Sequence, residues 1–473
     1  MSYNANLAYF LSRLQGVSTN YFKLEPQNTT TATANKIIRF SLPSNALLNM
    51  KSIAFHFNAS ANEVASKGGR LPPKIDSLIE RVELSAGGVQ ISQGFNHYNV
   101  LRHAKDALMG DKADACLGHP EMVRETSYVD GYGDGGSSGL ATTENENYPS
   151  TNGQTQFCIK NWEGLMGSIQ PSVVDTALLP DLVLTLYLAG NDVLSSSAGP
   201  AIAGTATTGI NVDNSSPNAQ FSISNFHLVV ETLGLADAVY DEMMERRISQ
   251  SGFIELPFKQ HFSFMDTHTG SSRFSVSTQS LDRVWCVWRA TGYNTQGGAV
   301  AINGYKQSGA FVDDVAGQTA ADIDIGVPQY DRGGVLDTNK EKLTTKYFNF
   351  AETRASASVP PTHQLQLNGA FIPQFRASAE QMYQISCNSV EGYGENKMMT
   401  LDQYKNNYFC YCVRLNLPDS EMGRELSGLD TRGISLNGYV NTTGIASTQN
   451  LLIFCECSST LRVGAGRAVE VVQ

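Results

Sequence analysis

Two Cys-x-Cys pairs, Cys410/Cys412 and Cys455/Cys457, are the first places where this chain could do chemistry. Residues two apart on a strand point to one face, so each pair presents its thiols together. Were the two strands neighbours, four sulfurs could converge on zinc. Structural zinc more often sits on turn-borne Cys pairs, and free Cys is among the most buried residue types. The pairs therefore read as core thiols, with neither disulfide nor zinc. Sugar hydrolysis needs two carboxylates facing one cleft, but Asp313, Asp314, Asp322 and Asp324 fall in a Gly-rich stretch and read as solvated. A duplicated cupin-type enzyme needs His-x-His with a following Glu, and none of the eight His has that spacing. The Gly131 to Gly136 run lacks the Gly-Lys-Ser/Thr ending of a phosphate loop and reads as a surface loop. No Gly-x-Ser-x-Gly elbow lies between a strand and a helix. Asn28, Asn58, Asn214 and Asn441 match glycosylation sequons, which mean little without secretion. No catalytic, cofactor or metal residue is assigned, and the chain is not read as an enzyme.

The elements that would have to position any site are mostly short strands. Around the middle, Phe226, Leu228 and Val230 share one face opposite His227 and Glu231, and the run stops at Gly234. Leu235, Val239 and Met243 then recur at helical spacing, with acids early and Arg246 and Arg247 late, as a helix dipole favours. From Ile254 the pattern returns to strands. Upstream, Ile38/Phe40/Leu42, Ile53/Phe55/Phe57 and Leu182/Leu184/Leu186/Leu188 alternate as half-buried strands do. Downstream, Trp285 to Trp288 is apolar on both faces, and Phe409/Tyr411/Val413/Leu415 alternate again. Two helices stand out. One carries Val100, Leu101, Ala104 and Leu108. The other opens at Ser378, with Gln381 placed for a capping box. Each follows a strand and a Gly-containing turn, Gly87-Gly88 or Asn368-Gly369, which suggests an internal duplication. Stretches 111–160, 195–218 and 292–342 read as long loops.

Composition excludes several classes. At 473 residues the chain has material for two or three domains. Its net charge of −11 argues against sequence-specific nucleic-acid binding, whose footprint is a basic stripe. Neither a signal segment nor an apolar run of spanning length occurs. The eight Cys read as reduced thiols, and the expected site of synthesis is host cytoplasm or nucleus.

The segment from Leu78 to Ile91, with Val82-Glu-Leu and Gly87-Gly88, resembles an early stretch of the double jelly-roll major capsid proteins of eukaryotic double-stranded DNA viruses, the lineage of polinton-like viruses, virophages and large DNA viruses. The Leu178 to Leu188 segment is similar to their late first-barrel strand, and Thr460 to Arg467 to their C-terminal strands. The resemblance in element order covers nearly the whole chain. It implies an all-β fold of two tandem jelly-roll sandwiches with short helices and long surface loops. The divisions expected are an N-terminal helical arm at 1–20, a first jelly roll at 21–235, a linker helix at 236–252 and a second jelly roll at 253–473. It also implies a homotrimer acting as a pseudo-hexagonal tile of an icosahedral virion shell. Its partners would be its own copies, a penton protein and minor capsid proteins, with no cofactor. The loops would crown the outside and knit the trimer. Leu7, Phe10, Leu11 and Leu14 form one apolar stripe on a short N-terminal helix. That stripe either packs under its own barrel or docks on a neighbour for assembly. The alternative function, from the β-sandwich class, is a carbohydrate-binding or glycan-hydrolysing protein.

Overall fold

The computed structural model describes residues 18–63, 71–72, 74–92, 95–109, 155–194, 219–234, 246, 248–250, 252–296, 300–301, 343–352, 355, 358–390, 401–417, 427–432, 437–445, 448–464 and 468–473. The apolar stripe at Leu7, Phe10, Leu11 and Leu14 lies outside the described residues, as does most of 236–252.

The first half supplies β1 (Ser18–Leu24), β2 (Thr31–Thr33), β3 (Ile37–Ser41), β4 (Leu47–Asn49), β5 (Ala54–Glu63), β6 (Ile79–Ala86) and β7 (Val89–Gln90). Helix α1 (Tyr98–Met109) follows, then β8 (Thr155–Ile159), the single turn α2 (Leu165–Ser168), β9 (Val173–Asp175), β10 (Val183–Leu188) and β11 (Ala219–Gly234). The second half supplies β12 (Phe253–His268), β13 (Ser271–Phe274), β14 (Leu281–Arg289), β15 (Val300–Ala301), β16 (Leu343–Thr344), β17 (Thr362–Leu367) and β18 (Ala370–Ala377). After α3 (Ala379–Ser389) and α4 (Leu401–Asn407) come β19 (Cys410–Arg414), β20 (Gly438–Thr443), β21 (Gln449–Gly464) and β22 (Val469–Val472).

All the ladders between these strands are antiparallel, and they sort into two sandwiches. In the first, β1 and β2 flank β11, which pairs β5 and then β8, while the facing sheet runs β3-β10-β6-β7. In the second, the sheets run β12-β21-β14-β19 and β13-β20-β17-β18. Lettered B to I in chain order, with β1 and β2 together taken as the first B, the main strands of each sandwich give sheets B-I-D-G and C-H-E-F, which is a jelly roll both times. Strands β4, β9 and β22 are additions at the margins, and β15 with β16 closes the base of a long excursion. The fold is a double jelly roll.

Local chemistry explains the strands. In β10 the buried Leu184, Leu186 and Leu188 put their side chains into the core, the period of two expected of a sandwich. The β17–β18 hairpin turns through Asn368 (φ 49°) and Gly369 (φ 89°), two consecutive left-handed residues that match the strand twist. Gly87 (φ 56°) and Gly88 (φ 81°) do the same between β6 and β7. Ser378 caps α3, with the Gln381 side chain accepting from the Ser378 amide at 3.0 Å. One expectation needs correcting. Residues 155–159, read as part of a loop, form β8, with Phe157 fully buried against Phe57.

Strand direction sorts the connections. Call the upper end that where β11 and β21 begin, at Ala219 and Gln449. The stretch 195–218 joins β11 there, and the stretch after β7 and α1 rejoins at Thr155, paired with Ala59 near that end. The excursion after β14 leaves from Arg289, opposite Asn450, also at the upper end. All three long stretches thus attach at one end. The first described residue, Ser18, pairs with Gly234 at the other. Both sandwiches share this orientation. Gln296 of the second donates to the Asn191 and Ala219 carbonyls of the first at 2.7 Å, all at the upper end. At the lower end, the Gln170 amide donates to the Pro257 carbonyl at 3.1 Å. Among the described residues, no helix is long and apolar enough to cross a membrane.

Candidate functional site

The densest polar chemistry lies in the seam between the sandwiches, built by α1 on the outer face of the β12-β21-β14-β19 sheet. Apolar Val100, Leu101, Ala104 and Leu108 bury one stripe of α1. Lys105 and Asp106 are buried as well, and Lys105 reaches across to the second sandwich. Lys105 Nζ contacts Glu163 Oε2 at 2.7 Å and Glu456 Oε2, on β21, at 3.4 Å. Glu456 also holds Arg283 Nη1 at 3.0 Å and lies 3.5 Å from His261 Nε2. Arg102 reaches Glu163 at 3.0 Å and Asp76 at 3.2 Å, and Lys74 pairs with Asp106. Rings seal the seam: Phe95 stacks on His261 at 4.8 Å and His103 on Phe348 at 3.9 Å.

Burial alone would raise the Glu456 carboxyl, but Lys105, Arg283 and His261 outweigh it and hold Glu456 well below the ordinary carboxylate value. Glu163 behaves likewise under Lys105 and Arg102. Burial works against the Lys105 ammonium, and Glu163 with Glu456 overcomes it, raising Lys105. Such a network positions rigid bodies.

Strand register decides whether the two Cys-x-Cys pairs meet. Strands β19 and β21 are not neighbours, since β14 lies between them. Cys412 is opposite Trp285 and Phe454 on the outer, seam face, where the Cys410 thiol donates to the Ala104 carbonyl at 3.6 Å. Cys455 is opposite Val284 on the inner face. The two pairs point to opposite sides of one sheet, so four sulfurs cannot converge. Burial pushes the Cys286 thiol up to about 12 and Cys412 and Cys455 well above the usual thiol value. Among the described residues, no three His, Cys, Asp or Glu side chains are grouped as a metal needs. Asp313, Asp314, Asp322 and Asp324, the Gly131 run, Asn214 and Cys116 lie outside the described residues. Asn28 is locked by its own loop: its amide donates to the Ile37 carbonyl at 2.6 Å and accepts from the Arg39 amide at 3.2 Å.

Two histidines, His268 fully buried and His97 partly so, give a pH dependence. Burial, with Arg289 adding, lowers His97 to about 4; burial, with His363 adding and Asp266 opposing, lowers His268 to about 4. His268 sits between the hydroxyls of Ser272 at 2.6 Å and Thr442 at 2.5 Å. Folded values below the ordinary 6.5 mean that the unfolded chain binds the extra protons. Their contribution to stability is complete above 6.5 and falls away as pH drops toward 4. The melting temperature should therefore fall from pH 7 to pH 5 by more in the native chain than in His268→Asn. Equal slopes in a calorimetric pH series would refute the assignment.

Sequence reading missed the seam. The four apolar positions of α1 were legible, but Lys105 finds Glu163 and Glu456 at separations no local pattern encodes. The resemblance at Leu78 to Ile91 falls on β6, its turn and β7, and that at Leu178 to Leu188 on β10.

No family model matches the chain, and no curated protein matches it by sequence. Solved structures do match. PBCV-1 VP54, as fitted into a reconstruction of the virophage Sputnik, is 13% identical over 98% of each chain, with a TM-score of 0.54. The quasi-atomic model of the PBCV-1 virus capsid gives 13% identity over 98% of each chain, with a TM-score of 0.52. The Faustovirus major capsid protein gives 11% identity over 95% of this chain and 91% of its own, with a TM-score of 0.52. At such identities the likeness is one of fold, and it spans both sandwiches.

Proposed function

We propose that this chain is the major capsid protein of an icosahedral virus, a structural protein rather than an enzyme. Three copies form a pseudo-hexagonal tile. The observation that carries the reading is the tandem repeat itself: two jelly rolls of one strand order, locked side by side in the same orientation. Two similar sandwiches per chain and three chains per ring give six similar edges, which suit hexagonal packing with one gene product. Fivefold vertices then need a different penton protein.

The end assignment follows. The three long stretches attach at the upper end, which we place outward, where they crown the tile and knit neighbours. Ser18 lies at the lower end, which we place inward, and we propose that the stripe of Leu7, Phe10, Leu11 and Leu14 docks there on a neighbouring subunit, a neighbouring tile or a minor capsid protein. The divisions at 1–20, 21–235, 236–252 and 253–473, and synthesis in host cytoplasm or nucleus, belong to this reading. The rival reading, a carbohydrate binder, can point to a cleft of about 590 Å³ lined by Asn28, Thr29, Lys36 and Ser222 together with the apolar Ala32 and Ile37. It lacks an aromatic plate for a sugar ring. Native mass spectrometry separates the two: a species of three 51.3 kDa chains supports the tile, and a 51.3 kDa monomer that binds glycans supports the rival.

A further inference from the structure

At the lower end of the chain the two sandwiches meet around a cleft of about 220 Å³. Lys51, Ser168 and Gln170 line it from the first sandwich, and Pro257, Lys259 and Ser458 from the second. Hydrogen bonds across the seam fix its walls. The Gln170 amide donates to the Pro257 carbonyl at 3.1 Å, and the Lys259 amide donates to Ser168 Oγ at 2.7 Å. Two lysines face the cleft and no acid lines it.

The charges of these lysines differ in how they are balanced. Lys259 Nζ donates to Asp282 Oδ2 at 2.7 Å and to Ser458 Oγ at 2.8 Å. Asp282 is buried, and its other oxygen accepts from the Ser280 hydroxyl at 2.7 Å. Asp282 therefore balances Lys259. An ammonium has three donors, so one N–H of Lys259 is left, on a side chain that is still 19% exposed. Lys51 is exposed, and among the described residues no carboxylate lies within 4 Å of its ammonium. The half-buried Gln170 side chain likewise has no hydrogen bond among the described residues. Donors from both sandwiches thus surround a space that holds one unbalanced positive charge.

We propose that this cleft is a binding site for a terminal phosphate group, free or on a lipid headgroup, held by Lys51, the third donor of Lys259 and the Gln170 amide. A phosphate supplies the acceptors and the negative charge that the lining lacks, and charge-assisted hydrogen bonds of this kind are the strong ones. The cleft has a sandwich on either side, which admits a group on a single stalk rather than a phosphodiester inside a duplex. A ligand held from both sides ties the sandwiches together, so binding stabilises the fold. On the shell-protein reading this end faces inward and the phosphate comes from the interior; the site itself stands without that reading.

Calorimetry of the full chain, with inorganic phosphate exchanged for chloride at constant ionic strength, tests the site. The melting temperature should rise with the logarithm of the phosphate concentration, as for any ligand of the folded state. Lys51→Gln changes an exposed residue, so it should keep the native circular dichroism and the melting temperature in chloride, and lose the rise. Lys51→Arg should retain the rise, and so should Lys36→Gln, an exposed lysine outside the cleft. Absence of a phosphate-specific rise overturns the proposal, as does a rise that survives Lys51→Gln or one that Lys36→Gln removes equally. Flotation with phosphatidylcholine vesicles containing phosphatidic acid then identifies the source. Capture that depends on Lys51 assigns the lipid headgroup, and no capture with the rise intact assigns free phosphate. A short duplex DNA without terminal phosphates that raises the melting temperature as inorganic phosphate does would refute the terminal-phosphate assignment. A chain found to be monomeric would sink the shell-protein reading and leave the phosphate titration just as readable.

Discussion

Lys105→Met should destabilise the protein by about 3–5 kcal/mol, the usual cost of breaking a buried ion pair from one side. The substitution keeps the aliphatic volume and removes the ammonium that serves Glu163 at 2.7 Å and Glu456 at 3.4 Å. Arg283 and His261 still face Glu456, so the chain should fold, but with two poorly compensated carboxylates inside the seam. Neutralising them as well, with Glu163→Gln and Glu456→Gln, should recover part of the loss. The pH signature follows from the shifts. In the native chain both carboxyls lie below the ordinary 4.5, so their contribution is complete above that value and disappears as acid reaches their folded values. Lys105 is raised above 10.5, so its contribution is complete below that pH and lost in stronger alkali. Without Lys105 the carboxyl values rise, and the variant should lose less stability than the native chain between pH 5 and pH 3. Denaturant titrations of both proteins at those two pH values measure it; parallel losses would mean that the network contributes nothing.

Trp288→Ala should cost a similar 3–5 kcal/mol, by loss of transfer energy and by the cavity left behind. Trp288 is 1% exposed in the second sandwich, with His268 edge-on at 4.7 Å and His363 at 5.6 Å. Its indole nitrogen is buried without a hydrogen-bond partner among the described residues. Trp288→Phe should therefore cost far less than Trp288→Ala, because it removes an unsatisfied donor along with part of the ring. The larger variant effect also reports on the seam. If the seam makes the sandwiches one cooperative unit, calorimetry of Trp288→Ala should show a single transition moved down. Two separated transitions would show that the sandwiches melt independently.

Legibility in the sequence tracked the range of the interaction. Local chemistry was plain: the alternating leucines of β10, the Asn368-Gly369 turn, and Ser378 with Gln381 at the head of α3 each act within a few residues. The duplication was readable because both copies keep strand, turn, strand and helix in one order. Strand β8 was hidden, since five residues at the end of a long Gly- and Asn-rich tract carry too short a pattern, and only pairing with β5 makes Phe157 a core residue. Register was equally out of reach. Cys-x-Cys spacing shows that two thiols share a face, but not that β14 separates the pairs or that they face opposite ways. Lys105 gave no sign of the seam, because Glu456, which it reaches, lies on the other sandwich.

The central claim, that two fused jelly rolls per chain build a six-edged tile, meets its most direct test in electron microscopy of the purified full-length protein. Averaged views down the symmetry axis should show a closed ring of six lobes, alternating in height or density with threefold symmetry. Averages showing only isolated two-lobed particles, at concentrations well above those used for spreading, would contradict it.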